Sequence, residues 1–142
     1  MQDSIFTKIV RGEIPAYRLY EDATTLAFLD IKPLLPGHTL VVPKLQVDQV
    51  DELPSDDYRA LFETVQKVAQ HLRTTLGTKR SIIQVLGFDV PHAHVHIIPA
   101  NSSMEYFEAV GRHVESVKTG EPYPYQPTQD ELMTLAKRLH VD

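Results

Sequence analysis

The chain has 142 residues, of which 42% are hydrophobic and 23% are charged, and its formal net charge is -5. These values predict one globular domain with a single core and argue against a mainly electrostatic binder of nucleic acid or anionic membranes. The sequence has no cysteine, which excludes disulfides, cysteine-ligated zinc and thiol chemistry. No apolar run approaches the ~20 residues that span a bilayer, and the N-terminus lacks a signal-peptide apolar region, so we expect a cytoplasmic protein.

The first third of the chain predicts short elements joined by a proline-rich loop. Ser4–Arg11 has near-helical apolar spacing after a serine, which predicts a short capped helix. Tyr17–Tyr20 and Thr25–Leu29 are strand candidates. Two prolines and a glycine make residues 30–37 a loop. His38–Pro43 contains three consecutive apolar residues, which predicts a central strand buried on both faces.

The middle of the chain predicts one long helix followed by a strand hairpin. Ser55–Leu76 carries an apolar stripe at helical spacing, with Ser55 as the expected N-cap and Gly77 as the left-handed residue at its end. Ser81–Leu86 predicts a strand, and the turn at residues 87–91 leads into a second strand.

The last third predicts two helices separated by an extended stretch. Residues 101–103 are a cap for a helix, residues 118–126 are proline-rich, and Thr128 caps a final amphipathic helix. We therefore predict an α+β fold with an antiparallel sheet of about five strands, one long helix and a C-terminal helix. We also expect residues 1–142 to form one domain, with a core at about 4–100 and an extension at 101–142.

Three histidines alternate with apolar residues in the segment that follows the turn. In a strand, His92, His94 and His96 share one face, while Ala93 and Val95 pack into the core. Three explanations are open for such a row: a polar solvent-facing strand, a zinc site of three imidazoles, or phosphoryl chemistry with a neutral imidazole as nucleophile.

Four ordered segments resemble the histidine triad family, and within it the nucleotide-binding, Hint-like branch. Residues 92–98 have the pattern His-φ-His-φ-His-φ-φ, where φ is apolar. Residues 5–16, 27–31 and 36–44 are similar to the family's N-terminal, ribose-binding and central-strand segments. The resemblance implies a homodimer that hydrolyses phosphoramidates or dinucleoside polyphosphates at the α-phosphorus.

The resemblance also implies roles for four histidines. His94, the middle histidine, would attack phosphorus and form a nucleotidyl-histidine intermediate. His96 would contact the phosphate and help to protonate the leaving group, and His92 would support the arrangement. His38 is similar to the family's fourth histidine. A neutral imidazole with a pKa near ~6.5 is suited to the nucleophilic role at cytoplasmic pH.

The implied ligand is a purine nucleotide such as AMP or GMP, or an adenylate conjugate. Asp30 would accept hydrogen bonds from the ribose hydroxyls. The base would be sandwiched by four apolar residues, each of which is equally explained as core: Phe6, Phe28, Ile31 and Leu40. The phosphate would be held near Gln84, Asp89 and Val90.

Two departures from the family pattern bear on activity. The segment before the triad is shorter than usual, Gln84 stands in for an asparagine, and Asp89 lies where a hydroxyl donor is expected. A carboxylate beside an α-phosphate is electrostatically unfavourable, so a binding or scaffold protein with little turnover is the main alternative. Thr7 occupies the first-cysteine position of the structural zinc site in some bacterial members, so no zinc or other cofactor is expected.

Overall fold

A five-stranded antiparallel sheet organises the chain in a computed structural model that describes residues 1–142. The spatial order β1-β2-β3-β5-β4 makes β3 the central strand, with β1 and β4 at the edges. The strands span β1 (Arg18–Glu21), β2 (Thr25–Leu29), β3 (Thr39–Pro43), β4 (Arg80–Gln84) and β5 (Val95–Ala100). The α+β class, the number of strands and the central position of the segment after residue 38 are confirmed.

Four α-helices and one short 3₁₀-helix at Val50–Glu52 complete the fold. The α-helices span α1 (Ile5–Val10), α2 (Ser55–Leu76), α3 (Ser103–Thr119) and α4 (Gln129–Leu139). Their bounds follow local signals, because Ser4, Ser102 and Thr128 each accept a hydrogen bond from a first-turn N–H.

The predicted N-cap of α2 is wrong by one residue. Pro54 is the N-cap and Ser55 is already helical, because the Tyr58 N–H donates to the Pro54 carbonyl at 2.9 Å. The other end is as predicted: Gly77 has a φ of 69° and its N–H donates to the Arg73 carbonyl.

The hairpin of β4 and β5 forms, but both strands are shorter than predicted. β4 ends at Gln84 and β5 begins at Val95, so His92 and His94 lie in the connecting loop and only His96 lies on the strand. The reason is that the Ala93 N–H donates to the Val47 carbonyl at 2.7 Å, outside the sheet ladder. The predicted burial of Ala93 and Val95 in the core is nevertheless confirmed.

The two faces of the sheet carry different layers. One face packs with α2 and α4 around a cluster of 17 buried residues that includes Val41, Leu61 and Leu72. Each fully buried aliphatic side chain contributes roughly 1.5–3 kcal/mol, so this face supplies most of the stability. The opposite face is covered by α1 at one end and by α3 at the other.

Gly37 explains how the loop before β3 approaches the sheet so closely. Its φ is +88°, and a Cβ at this position would lie 2.7 Å from Leu76 Cδ1 and 3.3 Å from Pro99 Cγ. Only glycine satisfies both the left-handed backbone and the close approach. Gly37 therefore sets the position of the next residue, His38.

Candidate active site

The strand register places four of the predicted site residues in one row across the sheet. Phe28 on β2 pairs with Leu40 on β3, Leu40 pairs with His96 on β5, and His96 pairs with Gln84 on β4. Directly paired residues share a face, so these four side chains lie side by side on the face that α1 and α3 cover.

His94 is held by a backbone carbonyl from its own segment. Its Nδ1 donates a hydrogen bond of 2.7 Å to the His92 carbonyl, and the residue is 5% exposed. A carbonyl only accepts, so the neutral ring has its proton on Nδ1 and an unprotonated Nε2. The Phe6 ring and this imidazole pack in a T-shaped arrangement with a centroid distance of 5.1 Å. The arrangement leaves Nε2 as a nucleophilic lone pair.

His92 is fully buried and both of its ring nitrogens are bonded. Nε2 donates to the Pro43 carbonyl at 2.8 Å, so Nδ1 accepts from the Ser4 hydroxyl at 2.7 Å. No ring atom remains free for a substrate. His92 acts through its backbone carbonyl, which orients His94.

Ser4 and Gln46 were missed as site residues by the sequence reasoning. Ser4 caps α1 through the Thr7 N–H at 3.0 Å and holds His92, while the Gln46 side chain accepts from the Ser4 N–H and from the Thr7 hydroxyl. The serine signal was visible as a helix cap, but nothing in the sequence connected it to a histidine 88 positions later.

His38 and His96 form a hydrogen-bonded pair whose free ring nitrogen carries a proton, in contrast to that of His94. The Leu34 N–H donates to His38 Nδ1 at 3.0 Å, and an N–H can only donate. The neutral His38 ring therefore has its proton on Nε2, which donates to His96 Nδ1 at 2.9 Å. His96 in turn keeps its proton on Nε2. The pair presents an N–H donor where His94 presents a lone pair.

Burial keeps these imidazoles neutral. The pKa of His96 is lowered from 6.5 to about 4, chiefly by burial and then by the neighbouring His38 and His94. Burial also lowers the pKa of His38, against the opposing effect of Asp30, and lowers the pKa of His92. At neutral pH these three rings are uncharged, as the tautomer assignments require.

Asp30 lies beside the His38–His96 pair. Its Oδ1 accepts from the Lys32 N–H at 2.8 Å, and its Oδ2 lies 3.6 Å from His38 Nε2. Asp30, His38 and His96 each offer a metal-ligand atom within 4.8 Å of the others. Such a ligand set suits zinc, but a metal would have to displace the proton shared by the two rings.

The four predicted base-binding residues divide into two groups. Phe6, Phe28 and Leu40 are 6%, 4% and 7% exposed and form one cluster under α1. Ile31 is 63% exposed. The first three are core residues in this structure, and Ile31 is the one that offers open apolar surface.

The loop before the triad places Gln84, Asp89 and Val90 differently. Gln84 accepts a short hydrogen bond from the Tyr106 hydroxyl of α3. Val90 packs against the α1 cluster, and its carbonyl accepts from the His92 N–H. Asp89 is exposed, and its charge acts on His96. The carboxylate thus lies at the edge of the site.

The chain belongs to the histidine triad family. The HIT domain model matches residues 11–103, which include His38 and the whole triad. Protein hit from Bacillus subtilis is 34% identical over 143 residues, covering 97% of this chain and 95% of that protein. The fold and the relatives place the chain close to the Hint branch of the family.

Two further relatives extend the comparison to function and structure. An adenosine 5'-monophosphoramidase from Schizosaccharomyces pombe is 37% identical over 108 residues, covering 75% of this chain and 80% of that protein. The crystal structure of a Hit-like protein from Bartonella henselae superposes with a TM-score of 0.77 at 27% identity, covering 96% and 94% of the two chains. No helix of the present structure combines the length and the apolar character needed to cross a membrane.

Proposed function

We propose that the chain hydrolyses a nucleoside phosphoramidate or a related nucleotide conjugate at its α-phosphorus, through a nucleotidyl intermediate on His94. The observation that carries this proposal is the hydrogen bond from His94 Nδ1 to the His92 carbonyl. It puts the lone pair on Nε2 without a separate general base. The phosphoramidase relative from Schizosaccharomyces pombe supports the same substrate class.

In the first step His94 Nε2 attacks the α-phosphorus, a bond forms between nitrogen and phosphorus, and the bond to the leaving amine breaks. The positive charge on the nucleotidyl imidazole is stabilised by the His92 carbonyl. His96 Nε2 donates to the phosphate, where charge accumulates in the transition state.

The leaving amine needs a proton, and the resting pair of His38 and His96 is neutral. Uptake of one proton on substrate binding is favoured because an anionic phosphate beside an imidazole raises its pKa. His96 then passes that proton to the amine. In the second step water attacks phosphorus, the bond to His94 breaks, the water proton returns to His96, and the nucleoside monophosphate leaves.

Asp30 binds the ribose in this proposal, and a purine base lies at the exposed Ile31. A carboxylate at the end of β2 can accept from two vicinal hydroxyls. Oδ2 of Asp30 accepts no hydrogen bond from the protein and lies 3.6 Å from His38 Nε2, so it is available to the ribose. Since Phe6, Phe28 and Leu40 are buried, they support the floor beneath the sugar and base.

The proposal needs no metal or cofactor. The test is hydrolysis of adenosine 5'-phosphoramidate with EDTA present, comparing the wild type with His94→Ala and with the exposed-site control His140→Ala. We expect wild-type and control turnover, loss of activity by a factor of about 10⁴ in His94→Ala, and an adenylyl adduct on His94 in quenched samples. Activity that requires added zinc, or that survives in His94→Ala, would overturn the mechanism.

The alternative of a nucleotide-binding protein with little turnover is favoured by Asp89, whose carboxylate lies close enough to act on His96. AMP binding in calorimetry together with negligible hydrolysis of any conjugate would support it. Dinucleoside polyphosphate hydrolysis is a further alternative, and parallel rates on a diadenosine polyphosphate and on the phosphoramidate distinguish the two activities.

We further propose a cytoplasmic homodimer formed along β4. This edge strand and the loop after it expose Ile83, Val85 and Leu86 at 48%, 46% and 60%. An exposed apolar edge strand is a surface that pairs with another chain. Light scattering is expected to give twice the chain mass of 16.1 kDa, and Ile83→Lys is expected to give a monomer.

A further inference from the structure

The C-terminal extension covers the side of the candidate site on which His38 and His96 lie. α3 and the stretch after it pack on the loop before β3 and on the outer face of β5, through a cluster of Leu34, Leu35, Ile98, Ala100 and Ala109. Tyr123 lies against this cluster, and the His113 ring packs on Tyr123 with a centroid distance of 6.1 Å. Residues far along the chain thus contact the loop that precedes His38.

A continuous series of hydrogen bonds joins this extension to the catalytic face. The Tyr123 hydroxyl donates to the Leu34 carbonyl at 2.8 Å. The Leu34 N–H donates to His38 Nδ1 at 3.0 Å, and His38 Nε2 donates to His96 Nδ1 at 2.9 Å. Both backbone groups of Leu34 are therefore engaged, one by the tail and one by the site.

Tyr123 is held in place by its own segment. It lies between Pro122 and Pro124, and the ring of each proline restricts the backbone next to it. The Gln126 side-chain amide donates to the Tyr123 carbonyl at 2.8 Å. A restricted segment loses less conformational entropy when it orders, so the hydroxyl reaches Leu34 at low cost.

We propose that Tyr123 is a positioning residue for the His38–His96 pair, acting by fixing Leu34 so that the Leu34 N–H stays on His38 Nδ1. This inference rests on the proposed function of His96 as the phosphate donor. Without that N–H, His38 can place its proton on Nδ1. The direction of the following hydrogen bond then reverses, and His96 turns an unprotonated Nε2 to the phosphate.

The expected size of the effect follows from the loss of one neutral hydrogen bond. Such a bond contributes roughly 0.5–1.5 kcal/mol, which corresponds to about a two- to thirteenfold fall in kcat when the affected donor acts in the transition state. KM for a nucleotide conjugate is expected to stay unchanged, because Tyr123 contacts neither Asp30 nor Ile31.

The test compares Tyr123→Phe with Tyr125→Phe, a matched control two residues away. Tyr125 is half-buried beside Glu131. Two-bond ¹H–¹⁵N spectra of the imidazole rings report the tautomer of His38 without any substrate. We expect a protonated Nε2 in the wild type and in Tyr125→Phe, and a mixture of tautomers in Tyr123→Phe. The same three proteins are assayed for kcat and KM.

The inference is supported only if Tyr123→Phe changes both the His38 tautomer and kcat while KM and the melting temperature stay near wild type. A wild-type His38 with its proton on Nδ1, an unchanged tautomer in Tyr123→Phe, or a changed tautomer with unchanged kcat each overturns it. Failure of the proposed function is recognised separately, because the wild type would then turn over no phosphoramidate while the spectra still report whether Tyr123 fixes His38.

Discussion

The two pairs of histidines in this protein differ in the backbone group that holds them. Carbonyls accept from the rings of His92 and His94, whereas an N–H donates to the ring of His38. A carbonyl oxygen accepts from the ring nitrogen that carries the proton, so the lone pair is on the other ring nitrogen. A backbone N–H donates to the ring nitrogen that has the lone pair, so the proton is on the other one. His94 thus presents a lone pair at its free ring nitrogen, whereas His96 presents an N–H donor.

The two pairs also depend on different parts of the chain. His92 and His94, the carbonyl-held pair, are connected to α1 through Ser4 and to the end of β3 through Pro43. His38 and His96, the N–H-held pair, are connected to the loop before β3 and, through Leu34, to the C-terminal extension. The difference teaches that substitutions at opposite ends of the sequence should damage opposite halves of the reaction.

The largest effect expected from this comparison is that of His38→Phe. The change removes the N–H-held pair and leaves the His94 hydrogen bond in place, so attack continues without an oriented donor. We expect kcat on the phosphoramidate to fall about 10²-fold, the range for loss of one transition-state donor. His140→Phe is the control, and a loss below threefold in His38→Phe would contradict the division of roles.

Ser4→Ala tests the carbonyl-held pair through stability. The change removes the cap of α1 and leaves the buried His92 Nδ1 with only the Thr7 hydroxyl, at 3.4 Å, within reach. We expect the free energy of unfolding in urea to fall by about 2–4 kcal/mol, the sum of a lost cap and a poorly satisfied buried group. Ser102→Ala removes only an exposed cap at α3 and should cost about 1 kcal/mol. Equal losses in the two variants would refute the link to His92.

Acid is expected to destabilise both pairs together. The pKa of His96 in the folded protein is about 4 and its ordinary value is 6.5, and burial also lowers the pKa of His38 and His92. The unfolded chain therefore binds more protons in this window, so the free energy of unfolding decreases as the pH falls from 6.5 towards 4. Urea midpoints across this range measure it, and His96→Asn should flatten the slope. A flat wild-type profile would be inconsistent with neutral buried rings.

The smallest expected effect is that of Asp89→Ser. Removing an exposed carboxylate near His96 lowers the repulsion of an anionic phosphate, so kcat/KM should rise about two- to fivefold at low salt and less at high salt. Asp51→Ser, an exposed change in the 3₁₀-helix, serves as the control. A fall in kcat/KM instead would show that the Asp89 carboxylate makes a favourable contact with the substrate. Such a contact would indicate a substrate that carries a positive charge.

The sequence predicts the elements well because their signals are local. The length of α2 follows from its apolar stripe and Gly77, and the caps at Ser4 and Thr128 lie next to the helices they begin. The alternation around His96 likewise predicts which side chains enter the core.

What the sequence could not predict is which ring nitrogen of each histidine carries the proton. The tautomer of His92 depends on the Pro43 carbonyl, 49 positions away. That of His38 depends on the Leu34 N–H, and the Leu34 carbonyl accepts from the Tyr123 hydroxyl, 89 positions away. These contacts arise only when the sheet register and the loop turns are both in place. For the same reason the sequence predicts Ile31 and Phe6 equally as base contacts, although only Ile31 is exposed in the structure.

The neutrality of the buried imidazoles also bears on how the protein releases its product. A ring without charge attracts a phosphate through an N–H dipole, which is a shorter-ranged and weaker interaction than that of an ammonium or guanidinium group. In the proposed reaction His96 gains a proton from water when the bond to His94 breaks, so we expect the nucleoside monophosphate to leave once that proton is lost. The site is then expected to hold an anion firmly only while the anion is bonded to His94 or while the His38–His96 pair carries the extra proton.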